Sequence, residues 1–285
     1  MRLTAMLPAV PLLAAVSLAV PAGHAAWPGG PGRPSLLPPA HTVIVVMENH
    51  AYGEIIGSPH APFLNALARQ GALFTASYAQ THPSQPNYLA LFSGSTQGVT
   101  GDSCPHRFAA ANLGSELIAA GLTFAGYAEG LPATGSRVCD AGRYARRHVP
   151  WADFSNVPAA ASKPFSRFPS GHYGRLPTVS FVVPDVCHDM HSCPPGTGDR
   201  WLRDHLGGYA RWAMAHDSLL IVTFDEDDGS AGNHIPTIFA GQMVRPGSYA
   251  MRISHYRVLR TVEQLYGLAP SGHAATARPI TGVWN

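Results

Sequence analysis

The stretch TVIVVMENH, residues 42–50, decides the fold, because an unbroken apolar run stops abruptly on a carboxylate, an amide and an imidazole. A run without polar positions is typical of a strand that is buried on both faces, as in a parallel sheet covered by helices. Ligands of open α/β sheets bind beyond the carboxyl ends of the strands. Glu48 and Asn49 therefore lie where a binding site is expected, although a simple polar turn explains this segment equally well.

The same pattern recurs at two later segments. The apolar residues 177–183 are followed by PDVCHDMH, and residues 218–224 are followed by the carboxylate run DEDD. Neighbouring carboxylates repel one another unless a cation or an arginine neutralises them. The candidate ligands at these strand ends are Glu48, Asn49, Asp185, His188, Asp189, His191, Asp225 and Glu226. This oxygen-rich set predicts a divalent metal ion, and zinc, manganese, magnesium and calcium all fit it.

A serine stands at the start of a helical segment in THPSQPNYLALFSGS, residues 81–95. The backbone N–H groups and the dipole of a helix start favour a phosphate or an oxyanion beside Ser84. A metal ion next to a serine lowers the pKa of its hydroxyl and neutralises phosphoryl oxygens during in-line transfer. Ser84 therefore predicts phosphoryl-transfer chemistry, with a simple helix cap as the alternative.

Alternating helix and strand patterns fill the rest of the chain. Hydrophobic spacing predicts helices over residues 62–69, 114–120, 200–215 and 255–266, and strands over residues 73–78, 123–127 and 237–240. Together with the three buried runs, these segments predict an α/β fold in which helices sandwich a parallel-rich central sheet. A length of 285 residues suits one large domain.

The amino-terminal region predicts export. Residues 1–25 have a basic start at Arg2, an apolar centre and small residues before a cleavage point, as in a signal peptide. A retained membrane anchor is the weaker alternative, because the apolar centre is short for a span. Residues 26–40 form a Pro/Gly-rich linker, which leaves residues 41–285 as a single catalytic domain of a secreted protein.

Four cysteines in an exported chain favour two disulfides over a thiol site. We favour Cys104 with Cys139 and Cys187 with Cys193, because each pair brackets one loop, although four cysteines allow three connectivities. The formal net charge of +2 is too small for a nucleic-acid-binding protein. We therefore expect no nucleic-acid partner, and we expect a monomer.

Seven motifs, in order, resemble the bacterial phosphoesterase family that contains secreted acid phosphatases and phospholipases C. They are VIVVMENH, THPSQPNYLALFSGS, YARRHVPWADF, DMH, GDRWL, TFDEDDG and SHYRVLRTVEQLYGL, and the likeness covers about residues 42–284. The resemblance implies an alkaline-phosphatase-like fold. It agrees with the strand-end pattern that the residues themselves predict.

The resemblance also implies roles for individual residues. Glu48, Asn49, Asp225 and Glu226 match metal ligands, and Ser84 matches the nucleophile. His191 matches an active-site histidine that would protonate the leaving group, and His148 a histidine that contacts phosphate. Further candidates for ligands or phosphate contacts are His82, Asn87, Arg147, Asp185, His188, Asp189 and His234.

The expected function is that of a secreted, metal-dependent acid phosphatase that hydrolyses phosphate monoesters through a phosphoserine. Its expected substrates include phosphoinositide head groups at a membrane surface, such as phosphatidylinositol 3-phosphate. One alternative is a phospholipase C-type phosphodiesterase, which is disfavoured because its larger relatives carry extra carboxyl-terminal domains. The other is a non-catalytic secreted metal-binding protein, which would not need Ser84.

Overall fold

The computed structural model describes Met1 and residues 37–285. The predicted signal peptide and most of the predicted linker lie outside the described residues. Within this range, none of the helices combines the length and the apolar character needed to cross a membrane.

A mostly parallel sheet of eight strands forms the centre of the structure, in the order β11-β2-β10-β9-β1-β8-β4-β7. Only β10 runs antiparallel to its neighbours, β9 and β2, among the described strands of this sheet. The strands are β1 (His41–Met47), β2 (Ala72–Phe74), β3 (Ser77–Tyr78), β4 (Phe124–Ala128), β5 (Asp140–Ala141), β6 (Tyr144–Ala145), β7 (Ser162–Pro164), β8 (Val179–Val183), β9 (Ser218–Phe224), β10 (Thr237–Ala240), β11 (Gly247–Tyr249) and β12 (Ile253–Ser254).

Helices cover both faces of this sheet. They are α1 (Tyr52–Ile55), α2 (Pro62–Gln70), α3 (Ser84–Ser93), α4 (Leu113–Ala119), α5 (Pro195–Ala213) and α6 (His255–Leu265). The apolar sides of α3, α4 and α6 pack into one core, and those of α2 and α5 pack into a second core. The predicted α/β architecture is confirmed.

Strand β1 separates the two cores, because its alternate side chains point to opposite faces. Ile44 and Val46 enter the core of α3 and α6, whereas Val43 and Val45 enter the core of α2 and α5. Each fully buried aliphatic side chain contributes about 1.5–3 kcal/mol to folding. This double burial explains why the run has no polar position.

The strand register brings the polar strand ends together. Val45 pairs with Val182 of β8 and with Val222 of β9, and Met47 pairs with Phe224. The carboxyl ends of these three strands therefore lie side by side. The residues that follow them meet at one edge of the sheet.

Two predicted elements differ from the structure. The strand expected over residues 73–78 is divided into β2, which pairs with β10 and β11, and β3, which pairs with β12. Helix α5 begins at Pro195, five residues before the predicted start at 200, because proline suits the first helical position. The sequence did not indicate this first turn, because Gly198 is a poor helix former. A Cβ there would lie 2.5 Å from Met190 Cγ, so only glycine fits.

Candidate active site

The hydroxyl of Ser84 lies at the first residue of α3, facing the carboxyl ends of β1 and β9. Its Oγ is 3.1 Å from Glu48 Oε2, 3.1 Å from Glu226 Oε1 and 3.4 Å from Asn49 Oδ1. A hydroxyl has one proton, so it can donate to only one of these oxygens. Such a crowd of oxygens is what a hard divalent cation binds.

Three carboxylates at this point are almost completely buried. Glu48, Asp225 and Glu226 have 0%, 1% and 3% of their surface exposed. Burial raises the pKa of Glu48 and of Asp225 well above the usual range, and repulsion between neighbouring carboxylates raises both further. Asp225 Oδ2 has no hydrogen-bond partner. A bound cation would offset the repulsion between the carboxylates and would give the unpartnered oxygen of Asp225 a partner. This donor set therefore fits a divalent metal ion.

His82 and Asn87 surround Glu226. His82 Nδ1 lies 2.9 Å from Glu226 Oε2, and its Nε2 lies 3.2 Å from Asp227 Oδ1. Asn87 donates to Glu226 Oε2 at 3.3 Å, while its own oxygen accepts the N–H groups of Gln80 and Thr81. His82 is exposed at the site, whereas Asn87 holds the turn that leads to Ser84.

His148 lies behind Glu48 rather than in the open part of the site. Its ring is 1% exposed, and its nitrogens lie 3.3 Å from Glu48 Oε1 and 3.3 Å from Asp189 Oδ2. Burial, followed by the charge of Arg147, lowers the pKa of His148 to about 3. The structure places this buried ring beside two carboxylates, and the implied contact with phosphate stays a prediction.

His191 lies at the surface beside His148, with their ring centroids 5.9 Å apart. Its Nδ1 lies 3.0 Å from Ser192 Oγ. Burial, together with the charge of His148, lowers the pKa of His191. Of these two histidines, His191 is the one that a substrate can reach.

The structure places the two other candidates from PDVCHDMH away from Ser84. Asp185 Oδ1 accepts the N–H groups of Cys187 and His188, and so it caps the turn after β8. His188 Nδ1 lies 2.9 Å from Glu129 Oε2. These atoms are engaged with each other, so the segment delivers only Asp189 and His191 to the site.

His234 and Arg147 also have other partners. The His234 ring stacks between Tyr52 and Tyr78, at 4.6 Å and 5.0 Å, and its Nε2 lies 3.0 Å from the carbonyl oxygen of Thr75. It supports the strand that leads to the site, and its role as a metal ligand stays a prediction. Arg147 lies 3.9 Å from Asp140 Oδ1 and remains partly exposed.

Sequence reasoning missed three residues near Ser84. Tyr88 donates a hydrogen bond to Glu48 Oε1, and its position four residues after Ser84, on the same face of α3, was an available signal. Asp227 accepts the N–H groups of Gly229, Ala231 and Asn233 and so shapes the DEDDG turn. Asp102 accepts the N–H of Gln85 at 2.9 Å, a contact that no local pattern predicts.

Both favoured disulfides are present. Cys104 pairs with Cys139 across 35 residues, and Cys187 pairs with Cys193 across 6 residues. The first bond joins the loop of Asp102 to the segment before His148. The second closes the loop that carries Asp189.

The chain is similar to known phosphatases. The chain is 57% identical over 247 residues to the phosphatidylinositol-3-phosphatase of Mycobacterium tuberculosis, covering 86% of this chain and 83% of that protein. It is 27% identical over 226 residues to an acid phosphatase of Aspergillus fumigatus, covering 72% of this chain and 51% of that protein. The chain thus spans about half the length of this fungal relative.

The fold has a solved counterpart in a protein of the alkaline phosphatase superfamily from Vibrio parahaemolyticus. The two share a TM-score of 0.59 at 15% identity, over 86% of this chain and 71% of that one. This confirms the expected alkaline-phosphatase-like fold. The profile of the Phosphoesterase family matches residues 58–269, and the resemblance read from the motifs is confirmed: the chain belongs to the phosphoesterase family and is an enzyme of that family.

Proposed function

We propose that this chain is a secreted, metal-dependent phosphomonoesterase with Ser84 as its nucleophile. The observation that carries the proposal is the Ser84 hydroxyl, which has oxygens of Glu48, Asn49 and Glu226 within 3.4 Å and a single proton to share among them. A hydroxyl surrounded by carboxylate and amide oxygens can transfer its proton to a base, and it lies next to the position where these oxygens would bind a cation.

Four residues would hold the metal ion: Glu48, Asn49, Asp225 and Glu226. When bound, the ion lowers the pKa of the Ser84 hydroxyl and neutralises phosphoryl oxygens. Ser84 Oγ then attacks phosphorus, and the bond from phosphorus to the leaving oxygen breaks as His191 donates a proton to that oxygen. Water next attacks the phosphoserine, releases inorganic phosphate and restores the serine hydroxyl.

The comparisons support phosphate monoesters as the substrate class. The Mycobacterium tuberculosis relative is a phosphatidylinositol-3-phosphatase, and the more distant Aspergillus relative is an acid phosphatase. Phosphoinositide head groups are therefore the first substrates to test. Two disulfides and the predicted signal peptide support secretion.

The nucleophile can be tested by the release of p-nitrophenol from p-nitrophenyl phosphate. We expect Ser84→Ala to lower turnover at least about 10³-fold, because the variant lacks the hydroxyl that attacks phosphorus. Ser93→Ala is the matched control, since Ser93 is a buried serine of the same helix whose hydroxyl donates to the carbonyl oxygen of Leu89. Near-wild-type turnover by Ser84→Ala would exclude Ser84 as the nucleophile.

The substrate class can be tested on lipid vesicles. We expect phosphate release from phosphatidylinositol 3-phosphate and no diacylglycerol release from phosphatidylcholine. The reverse result would identify a phospholipase C-type diesterase. A protein that binds metal yet hydrolyses neither lipid nor p-nitrophenyl phosphate would be a metal-binding protein without this activity.

A further inference from the structure

Two loops beside the active site are joined to each other and carry several arginines. The loop of residues 103–109 is bonded to the loop of residues 132–147 by the disulfide between Cys104 and Cys139. The guanidinium group of Arg146 also joins them, because it donates to the carbonyl oxygen of His106 at 3.3 Å and to that of Arg137 at 2.8 Å. The two loops therefore form one continuous surface.

Both loops are connected to the residues of the active site. The first loop directly follows Asp102, which accepts the N–H of Gln85, next to Ser84. The second loop contains the antiparallel pair β5 and β6 and leads into His148, which contacts Glu48. At the turn of this pair, the carbonyl oxygen of Arg143 accepts the N–H of Val186, just after β8. The surface of the two loops therefore borders the active site.

Most of the arginine side chains on these loops reach solvent without an acidic partner. Arg107, Arg137 and Arg143 are exposed, and none of the three makes an ion pair with another described residue. Arg147 is partly exposed and lies 3.9 Å from Asp140, which is the one acidic residue in the two segments. Positive charge therefore predominates on this surface.

An apolar side chain lies among these arginines. Val138, between Arg137 and Cys139, is one of the few large hydrophobic residues that are exposed in the described part of the chain. Basic side chains around an exposed apolar residue are typical of surfaces that bind the head-group region of a membrane. We call Arg107, Arg137, Val138, Arg143 and Arg147 together the basic rim.

We infer that the basic rim docks the enzyme onto an anionic lipid bilayer and so presents a phosphoinositide head group to Ser84. This inference rests on the proposed function, because it assumes that the substrate is a lipid. A bilayer offers a plane of phosphate and carboxylate groups, and arginine binds such groups through two parallel hydrogen bonds. Separate arginines on a loop surface suit such a plane, which does not have to enter a shaped groove.

Docking can be measured by sedimentation with lipid vesicles, using the chain without its predicted signal peptide. One set of vesicles contains phosphatidylcholine alone, and the other contains equal amounts of phosphatidylcholine and phosphatidylserine. Phosphatidylserine is anionic but carries no phosphate monoester, so it tests the surface without being a substrate. We expect the wild type to bind the anionic vesicles and to bind the neutral ones much more weakly.

A triple variant tests the three exposed arginines of the rim. Each arginine near an anionic bilayer strengthens binding roughly fivefold. Exchanging Arg107→Gln, Arg137→Gln and Arg143→Gln together should therefore weaken binding on the order of 100-fold. Arg147 is left unchanged in this variant, because it is a candidate for contact with the phosphate itself.

The matched control exchanges Arg69→Gln, Arg175→Gln and Arg211→Gln, which removes the same number of charges. These arginines are also exposed and make no ion pair with a described residue. They shortly precede the starts of β2, β8 and β9, so they lie at the opposite edge of the sheet from Ser84. The control variant should bind the anionic vesicles like the wild type.

Hydrolysis gives a second readout. The variant at residues 107, 137 and 143 should have a higher KM for phosphatidylinositol 3-phosphate in anionic vesicles, because fewer enzyme molecules are docked. Its kcat and KM for p-nitrophenyl phosphate should equal those of the wild type, since this soluble substrate needs no docking. Equal kinetics on both substrates would contradict the inference.

The outcomes separate this inference from the proposed function. Equal binding of the wild type to both kinds of vesicle, or equal weakening by the control variant, overturns the docking role while hydrolysis by Ser84 stands. Ser84→Ala should bind the anionic vesicles like the wild type and hydrolyse nothing. If Ser84→Ala is active while binding still depends on the three arginines, the proposed function fails and the docking surface stands.

Discussion

Asp225 shows at the scale of one residue why the site depends on a cation. Its Oδ1 accepts the N–H of Asn49, but its Oδ2 is buried without a partner. Burial, followed by repulsion from Glu48 and Glu226, raises its pKa well above the ordinary value of 3.8. When the pKa of a carboxyl group is higher in the folded chain than in the unfolded chain, the free energy of unfolding falls as the pH rises above the pKa of the unfolded chain. At neutral pH, the buried metal-ligand carboxylates therefore destabilise the metal-free protein.

Asp225→Asn should consequently stabilise the metal-free protein at pH 7, while weakening its response to metal. The raised pKa makes the ionised carboxylate unfavourable in the folded chain, so we expect the variant to have a higher free energy of unfolding than the wild type in EDTA. A bound ion at 100 times its dissociation constant stabilises by about 2.7 kcal/mol, and this gain should be lost. Thermal melts with EDTA and with Mn²⁺ measure both effects. A variant less stable than the wild type in EDTA would contradict the argument.

Individual residues differ in how far the sequence predicts them. The positions of Glu48 and Asp225 follow from one rule, because parallel strands in register bring the residues after them together. His148 and His234 lie in loops, and the sequence gives no register for a loop. Whether such a histidine contacts a carboxylate or stacks between tyrosines depends on tertiary packing, so the sequence does not predict their contacts.

Secondary-structure elements were predictable where burial alone determines them. The bounds predicted for β9 and β10 match the structure, because both segments are short apolar runs with polar ends. The division of residues 73–78 was not predictable. Each half of that segment satisfies its backbone hydrogen bonds with a partner more than 150 residues later in the chain, since β2 pairs with β10 and β11 and β3 pairs with β12.

Helix α6 contains a carboxylate that links it to the end of α3. Glu263 is buried, its Oε1 accepts the N–H of Ser271 at 2.7 Å, and its Oε2 has no partner. The same loop continues to His273, whose N–H donates to the carbonyl oxygen of Gly94, just after α3. Burial raises the pKa of Glu263 from 4.5 to about 7. Burial therefore favours the protonated carboxyl group, and it outweighs the hydrogen bond from Ser271, which favours the ionised form.

The Glu263 contact predicts a pH dependence at the level of these two helices. The folded chain holds the proton up to about pH 7, whereas the unfolded chain releases it near 4.5, so stability falls as the pH rises through this window. Glu263→Gln removes the titration, and its advantage over the wild type should grow from near zero at pH 4.5 to about 1–2 kcal/mol above pH 7, after allowance for solvent screening. Urea unfolding at several pH values measures it. A pH-independent difference would exclude Glu263 as the cause.

At the scale of the whole molecule, one disulfide contributes mainly to global stability and the other mainly to the position of one loop. Closing a loop of 35 residues, between Cys104 and Cys139, removes more unfolded-state entropy than closing one of 6 residues, between Cys187 and Cys193. In the chain-entropy treatment, the two bonds contribute about 4 and about 2 kcal/mol. The short loop carries Asp189. The second disulfide therefore matters more for the position of Asp189 than for global stability.

Replacing each pair by serines should therefore separate stability from metal binding. Cys104→Ser with Cys139→Ser should lower the free energy of unfolding by about 4 kcal/mol, and Cys187→Ser with Cys193→Ser by about 2 kcal/mol. The order should reverse for Mn²⁺. The carbonyl oxygen of Asp189 accepts the N–H of the proposed ligand Glu48, so freeing this loop should loosen that ligand, at a cost of about 10- to 100-fold in affinity. Urea unfolding in EDTA gives the first ranking, and titration at a temperature where both variants are folded gives the second. If the pair at 187 and 193 changed only stability, Asp189 would be positioned by its backbone hydrogen bonds to Asp185 and Glu48 alone, and the disulfide would have no part in the site.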